Sequence, residues 1–594
     1  MNASSLSSQQ KEIFNHPIGL FVLFFTEMWE RFSYYGMRAL LILFLVSKSS
    51  EGGLEWSRSE AMVLFGWYVL LVYCLPIVGG WLADRKWGAI KTIIVGASII
   101  TFGHGMLAIS EISNPSIHKL FFYIGLLLVA VGSGLFKPNM TTIISNMYEG
   151  NTEKKDGAYT IFYMGVNAGS FIGIMLVGWI GENFSWSLGF GLAGIFMLLG
   201  LLQFYFARTI FGEKASKPNF KIDQLSEKEQ QKLVPFKQKD QFLLWIGSIL
   251  AFAWIADGLY AVVSRGKHFL ANDFINLKAF GFDINIGIFT LLLSAAILIF
   301  IYLGISRLIR YERVERDRMI VVFIFAFFVV FFWTCFEQAG TSMTIFARDY
   351  TSRTLDGNFS LLYKIIDFLL TVTPMVILSW VVYTFSSKLI GAYPKTVLLT
   401  ILSFLVIWIL VLWRVYDKIS GNTTVVDTSW FQILNPFFIV VLAPAFATLW
   451  KKTNFSAAQK FSLGLTLLAI GFGLLAFGSS DIPNGATTAS ISMIWLILAF
   501  LFHTLGELAI SPVSLSYISK MAPQRMTSFI FGIFFLFTGL SGKFAAALAK
   551  NMDSISANSG IGSFFLLLTA IPFIAAVSIL FLNKKINKLM HGIQ

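Results

Sequence analysis

The run Phe25-Thr26-Glu27-Met28-Trp29-Glu30-Arg31-Phe32-Ser33-Tyr34-Tyr35-Gly36-Met37-Arg38 lies inside an otherwise apolar segment that extends from about residue 18 to residue 46. A helix needs roughly 20 residues to cross a hydrocarbon core of about 30 Å, so the segment is long enough to span one. A charged side chain at the bilayer centre costs about 2.5–3.5 kcal/mol on insertion scales, and such residues usually face a cavity and are functional. Glu27, Glu30, Arg31, Tyr34, Tyr35 and Arg38 stand at offsets 0, 3, 4, 7, 8 and 11. At about 100° per residue all six fall within roughly 140° of the circumference, and the opposite side is Phe, Met, Trp and Leu. The spacing predicts a membrane helix with one wet face and one face against lipid or neighbouring helices. A static ion-pair cluster locking helices together would use the same residues.

The rest of the chain has the same character. Of its 594 residues, 56% are hydrophobic and 13% charged, with 61 phenylalanines; a soluble domain is nearer 45–50% and about 25%. The apolar residues come in blocks of roughly 20, the length of a membrane helix. A net charge of +13 could suggest nucleic acid. Most Lys and Arg, however, sit in short loops between apolar blocks, as the positive-inside rule describes. No nucleic-acid partner is expected; the lipid bilayer is. Cys74 and Cys335 both fall in apolar segments, which indicates neither a disulfide framework nor a metal site. The first 16 residues lack the charged start, apolar middle and small-residue cleavage site of a signal peptide. The first helix is therefore expected to remain, with the N-terminus in the cytoplasm.

The apolar blocks predict helices at about 18–46, 61–83, 89–110, 119–145, 157–180 and 184–208, then a polar, Lys-rich linker over 209–240. Further helices are expected at about 241–263, 284–306, 319–347, 361–384, 396–415, 430–450, 459–478, 489–518, 527–549 and 562–583, sixteen in all. With the N-terminus inside, the cytoplasmic loops carry Arg85/Lys86/Lys91, Lys154/Lys155, the Lys-rich linker, the run Arg307, Arg310, Arg313, Arg316, Arg318, then Lys451/Lys452/Lys460, Lys520/Arg525 and Lys584/Lys585/Lys588. Opposite loops such as Gly181–Ser185, Ser479–Thr488 and Asn551–Gly560 are poor in Lys and Arg, so sixteen crossings fit the bias. This places both termini in the cytoplasm and the protein, multi-pass, in a membrane, most naturally a bacterial plasma membrane. The expected domains are an N-terminal six-helix bundle over 1–208, the linker, an inserted helix pair with a basic loop over 241–318, and a C-terminal six-helix bundle over 319–594. The last contains a second inserted pair at about 361–415. Two six-helix halves with a site between them is how many secondary transporters are built.

Other intramembrane charges point to the same site. Lys137 precedes Pro138 and Asn139, where a proline break frees backbone groups that only a protein- or water-lined cavity can satisfy. Glu337 lies in Trp333-Thr334-Cys335-Phe336-Glu337-Gln338, and Glu507 in Gly506-Glu507-Leu508-Ala509-Ile510-Ser511-Pro512. A carboxylate in such a place either keeps its charge beside Lys or Arg or takes up a proton. For each one alone, static pairing is as good a reading as proton carriage; three acidic and three basic positions together favour transport. Asp257, Asp367 and Lys543 lie near enough to helix ends to snorkel or to contact another helix. His104 reads as a packing contact, and His503, one turn before Glu507, as a residue that could tune it.

Four segments carry a specific resemblance. Glu27-Met28-Trp29-Glu30-Arg31-Phe32-Ser33-Tyr34-Tyr35-Gly36 resembles the ExxERFxYYG signature of the proton-dependent oligopeptide transporter family, within the major facilitator superfamily. Phe162-Tyr163-Met164-Gly165-Val166-Asn167-Ala168-Gly169-Ser170 is similar to its fifth-helix FYxxINxGS signature, with Val for Ile. Asn435-Pro436-Phe437-Phe438-Ile439 and Gly506-Glu507-Leu508-Ala509-Ile510-Ser511-Pro512 resemble two further family segments. The resemblance covers about 19–208 and 333–594 apart from 348–429. It implies an all-α major facilitator fold of two six-helix bundles plus the two inserted pairs. It also implies that Glu27, Glu30 and Arg31 belong to a proton-coupling group with Glu337 and Glu507. Arg38 and Glu337 would pair as an outer gate, and Lys137 and Glu507 as an inner one. A peptide carboxylate would meet Arg38 and Lys137, with Tyr34, Tyr35, Tyr73 and Asn167 nearby. Its amino end would meet Glu507 and Asn435, with Trp333 as an aromatic wall. The departures are Gly66 where mammalian members have a histidine, Phe534 where Trp is frequent, Lys86 after Asp84-Arg85, and the second inserted pair.

The function expected is import of di- and tripeptides with protons, by alternating access, without an organic cofactor or metal and with a monomer as the working assembly. Nitrate or another small metabolite would suit the same fold; a non-transporting sensor or scaffold would have no reason to keep charges on several core helices. No Gly-rich phosphate loop, metal cluster or nucleophile–base arrangement suggests an enzyme.

Overall fold

The structure, a computed structural model, describes residues 12–112, 115–148, 152–212, 215, 237–270, 273–279, 282–421, 423–521 and 527–593. Most of the Lys-rich linker and Arg525 lie outside the described residues. Among the described residues sixteen long helices run through the molecule. The first six are α1 (Ile18–Val46), α2 (Arg58–Leu82), α3 (Ala89–Ile112), α4 (Pro115–Met147), α5 (Thr152–Asn183) and α6 (Trp186–Ala207). Next come α7 (Gln238–Val263), α8 (Ile288–Leu308), α9 (Arg313–Phe336), α10 (Gly357–Leu389) and α11 (Pro394–Ser420). The last are α12 (Trp430–Lys452), α13 (Ala457–Gly478), α14 (Ile494–Met521), α15 (Thr527–Ala549) and α16 (Ile561–Leu589). Fourteen helices are long and apolar enough to cross a membrane, and the protein is a multi-pass membrane protein. α1 falls outside that set because every 18-residue window in it contains at least three of Glu27, Glu30, Arg31 and Arg38.

Several boundaries differ from expectation: α14 starts at Ile494 and not near 489, α16 runs on to Leu589 and not 583, and the helix expected over 319–347 starts at Arg313 and breaks at a 3-10 turn, Glu337–Gly340, before a short helix, Ser342–Asp349. The helix expected over 284–306 begins at Ile288, because Phe282–Gly287 is a strand paired antiparallel with Asp273–Ala279. The alternation Phe282-Asp283-Ile284-Asn285-Ile286 has the two-residue period of a strand, which the apolar run behind it obscured. The linker expected to reach 240 ends earlier, since α7 starts at Gln238 with the Asp240 carboxylate accepting from the Lys237 N–H at 3.0 Å.

α1 packs against α5 and α6, α3 against α4 and α6, and α2 against α4. In the second half α13 packs against α14 and α16, while α9 lies against α14, α15 and α16. The halves meet where α2 touches α15 and where α5 touches α12. One close approach decides the position of α1. Gly165, Gly169 and Gly173 recur every four residues on α5, and a Cβ on each would run into the backbone or side chain of Phe24, Met28 and Phe32 on α1. Small residues at such spacing let membrane helices come close enough for van der Waals contact to hold them. α7 and α8 pack on each other and touch α2. The second inserted pair lies in sequence within the C-terminal half, yet α11 packs along α5 and α6 and α10 touches α1.

The molecule has two distinct ends. At one, Arg58 donates to Asp349 at 2.8 Å, to Asp553 at 2.7 Å and to the Thr487 carbonyl at 3.0 Å. The loops expected to be poor in Lys and Arg converge there. The opposite end carries Arg85, Lys86 and the basic start of α9, where Asp317 meets His591 at 2.8 Å.

Candidate functional site

α1 is buried along 25 of its 29 residues, the four exceptions being Arg31, Tyr35, Arg38 and, at the end, Val46. Three residues in the middle of an enclosed helix, within roughly 60° of one another at about 100° per residue, keep partial exposure. On α1 this exposure falls on the polar arc, and the apolar arc is buried against other helices.

The arc is organised as two clusters. In the first, Arg31 Nε donates to Glu27 Oε1 at 2.7 Å and stands 3.4 Å from Glu30 Oε2, while Ser133 Oγ on α4 donates to Glu30 Oε1 at 3.2 Å. Glu27 Oε2 and Glu30 Oε2 are buried and accept no hydrogen bond. In a low-dielectric interior an unmet polar atom is costly. Lys137, one turn after Ser133, holds its ammonium 4.0 Å from the centroid of the Tyr34 ring. Tyr34 in turn packs on Tyr35 at 5.1 Å and stacks on Tyr68 at 6.4 Å.

In the second cluster Arg38 is ion-paired with Glu337, which follows α9 directly, 299 positions away in sequence. The guanidinium also lies over the Phe65 and Tyr35 rings, at 5.4 and 5.9 Å. The Glu337 side chain is 3% exposed and that of Arg38 13%, so this is an interior pair. Arg38 Nε has no partner and remains a spare donor.

On the other half, Asn435 Nδ2 donates to Glu507 Oε2 at 2.8 Å and to Thr504 Oγ1 at 3.1 Å, which binds α12 to α14. Trp333 packs edge-on against Phe332 and Phe336, and the Tyr73 Cβ lies beside Gly539 of α15. Asn167 bonds back to the Tyr163 carbonyl at 2.9 Å. Of the two expected gate pairs, one is joined and one is not. Among the described residues no ion pair links Lys137 with Glu507.

The charges expected to be structural have such partners. Asp367 makes a bidentate pair with Arg414 at 2.7 and 2.9 Å. Asp257 accepts the N–H groups of Phe269 and Leu270 and faces His268. Lys543 lies 3.8 Å from the centroid of the Trp67 ring. His503 packs at 4.3 Å on Phe472 of α13, and both ring nitrogens are buried without a partner.

Two residues at the site, Ser133 and Tyr68, and Arg58 at one end of the molecule were missed from sequence. Ser133 had a usable signal, since it stands four residues before Lys137 on the same helix face. Tyr68 reads as one more aromatic in an apolar block, and Arg58 as an ordinary residue after a Ser57–Glu60 capping box.

A family model described as the POT family matches residues 90–229 and 395–565. The chain is 30% identical over 592 residues to the uncharacterized transporter YclF of Bacillus subtilis, covering 99% of this chain and 98% of that one. It is 28% identical over 596 residues to the di-/tripeptide transporter of Lactococcus lactis subsp. cremoris, with 99% and 100% covered. The solved structure of a peptide transporter POT in complex with sulfate superposes with a TM-score of 0.69, at 26% identity and over 100% of both chains.

Proposed function

Because this chain belongs to the POT family, whose members are transporters and not enzymes, we propose that it imports di- and tripeptides together with protons by alternating access. The observation that carries this reading is the Arg38–Glu337 pair, which joins the two halves and keeps the Arg38 side chain partly exposed. Around it the chemistry suits a zwitterionic peptide. Arg38 and Lys137 on the first half would take the carboxylate, with Tyr34, Tyr35, Tyr73 and Asn167 beside it. Glu507 and Asn435 on the second half would take the amino end, and Trp333 would form an apolar wall. A small anion such as nitrate has no amino group to occupy Glu507.

Glu27, Glu30 and Arg31 form the proton group. Protonation of either carboxylate weakens its hold on Arg31, and protonation of Glu337 releases Arg38 toward the substrate carboxylate. With the Arg38–Glu337 gate joined and the Lys137–Glu507 gate apart, the arrangement favours a state open toward the Lys86 end. We take that end as cytoplasmic and the Arg58 end as external, in a plasma membrane with both termini inside. Arg58 then adds a second outer latch. The functional division follows the two halves: 1–208 and 319–594 rock against each other, 209–240 links them, and 241–318 is the first inserted pair. No organic cofactor or metal is needed, protons are the coupling ion, and a monomer contains the whole path.

The deciding experiment is uptake of labelled dialanine into proteoliposomes, with and without an inward proton gradient, competed by alanine and by nitrate. Competition by nitrate but not by peptides would overturn the peptide assignment. Replacing Glu507 by Gln should raise the KM for dialanine about ten- to a hundredfold, the loss of a hydrogen bond between charged groups worth about 1.5–3 kcal/mol. N-acetyl-dialanine, which has no ammonium, should be affected far less. An equal loss for both peptides would reject Glu507 as the amine site.

A further inference from the structure

The second inserted pair belongs to the C-terminal half by sequence and to the N-terminal half by packing. Phe25 meets Phe385 and Phe404 at ring distances of 5.1 and 5.9 Å, and Trp29 meets Phe404 at 5.6 Å. Toward the Lys86 end Thr396 donates to the Gln203 carbonyl at 3.2 Å, and Phe14 packs on Trp380 at 5.2 Å. Toward the Arg58 end Trp179 donates to Asp417 at 3.1 Å and packs on Trp413 at 5.0 Å. The pair is therefore fastened to α1, α5 and α6 along its whole length.

The chain must change halves twice to do this, between residues 349 and 357 and again between 421 and 429. Both crossings lie at the Arg58 end, and they are fastened to each other. Thr354–Leu355 pairs antiparallel with Thr424–Val425, and Arg353 and Val426 bond to each other through backbone and side chain at 2.9 and 2.7 Å. On the C-terminal side Thr351–Ser352 pairs with Ile491–Ser492, in the connection before α14. On the N-terminal side the Glu182 carboxylate of α5 accepts the N–H groups of Thr428 and Ser429 at 2.7 and 2.8 Å, at the very start of α12. Asn183 and Lys418 hold Asp427 beside it, at 3.0 and 2.8 Å.

We propose that α10 and α11 travel with the N-terminal half, and that the two crossings, held by Glu182 to the first turn of α12, form a strap that limits how far the outer side opens. Separating the halves at this end stretches both crossings and pulls Thr428 and Ser429 off Glu182. A carboxylate accepting two main-chain N–H groups at a helix start is a charge-assisted contact, among the stronger hydrogen bonds available. The strap therefore favours the outer-closed state and resists the open one.

The inference rests on the alternating-access reading, and spin-label distances in the full-length protein separate the two. With Cys74 and Cys335 replaced by Ala, labels at Ser49 and Asn558 report outer opening, Leu412 with Leu188 reports the pair against the first half, and Leu412 with Phe477 the pair against the second. All five sites are exposed. Between pH 5 and pH 8, with and without dialanine, the Ser49–Asn558 and Leu412–Phe477 distances should change in step while Leu412–Leu188 stays fixed. A pair that keeps its distance to Phe477 and moves against Leu188 overturns the strap alone. No change at Ser49–Asn558 in any condition overturns the strap and alternating access together. Glu182→Ala should raise the open-to-closed ratio by about tenfold. Inserting Gly-Ser-Gly between Asp356 and Gly357, which lengthens a crossing and leaves Glu182 in place, should shift it in the same direction. An unchanged ratio in both variants rejects the strap.

Discussion

Glu337→Gln should abolish uptake driven by a pH gradient while leaving counterflow exchange of unlabelled for labelled dialanine intact. Gln has the shape of a protonated Glu and cannot carry the charge that holds Arg38, so the variant is fixed in the released state whatever the pH. Arg38 stays available for a peptide carboxylate, which preserves binding and exchange. The link between proton and peptide is lost, and a coupling free energy of about 1–3 kcal/mol corresponds to roughly a 5- to 150-fold effect on affinity. The KM for exchange should accordingly lose its dependence on pH between pH 5 and pH 8. Proton-driven uptake at the unmodified rate would sink this account, because it would mean that the Arg38–Glu337 pair is static. Arg38→Ala differs: it strands Glu337, whose side chain is 3% exposed, and removes a peptide contact together with the gate.

Asp367→Ala should produce the largest loss of stability of any single change considered. Arg414 is 1% exposed and donates to both Asp367 oxygens, and Trp430 Nε1 donates to Asp367 at 3.0 Å. Deleting the carboxylate leaves a buried guanidinium without its counter-charge, a change that costs about 3–5 kcal/mol in buried pairs. The thermal midpoint in detergent should fall sharply, and monodisperse protein with it. Asp367→Leu combined with Arg414→Leu should recover most of the loss, since the expense lies in the uncompensated charge and not in the missing attraction. A single variant that melts with the unmodified protein would show that water or another group solvates Arg414. The same pair anchors Trp430, the first residue of α12, so the variant should also loosen the outer end.

Much of this architecture was legible in the sequence, for identifiable reasons. Helices that must cross lipid have a fixed minimum length, so sixteen long helices could be read directly. Charges are rare in such helices, which made Glu27, Glu30, Arg31, Arg38, Lys137, Glu337 and Glu507 conspicuous. Matching Arg38 to Glu337 over 299 positions needed family resemblance, because spacing carries no information between helices. Other features left no trace. The side on which α10 and α11 dock depends on which apolar surfaces fit, and Phe385 or Phe404 looks the same facing lipid as facing Phe25. Arg58 stands at a helix start, where basic residues are ordinary, and nothing nearby reveals Asp349 or Asp553. The strand over Phe282–Gly287 was hidden because its residues run without a break into an apolar helix. The separation of Lys137 from Glu507 could not be read either, because spacing along the chain does not say which residues of different helices meet.

The enclosure of α1 has a consequence for how the protein is made. Each Leu, Ile, Phe or Val returns only about 0.3–0.6 kcal/mol on entering the bilayer, whereas an ionised side chain near its centre costs about 2.5–3.5. A helix bearing Glu27, Glu30, Arg31 and Arg38 is thus a poor customer for the insertion machinery by itself. Ser133 on α4 and the glycine face of α5 are synthesised later, and Glu337 later still. The nascent chain should therefore keep its first helix loosely held until later helices arrive to enclose it. A reporter fused after α1 alone should partition poorly into microsomes, and one fused after α6 should partition well. Efficient insertion of α1 in isolation would mean that its charges reach the interfaces without help from the rest of the fold.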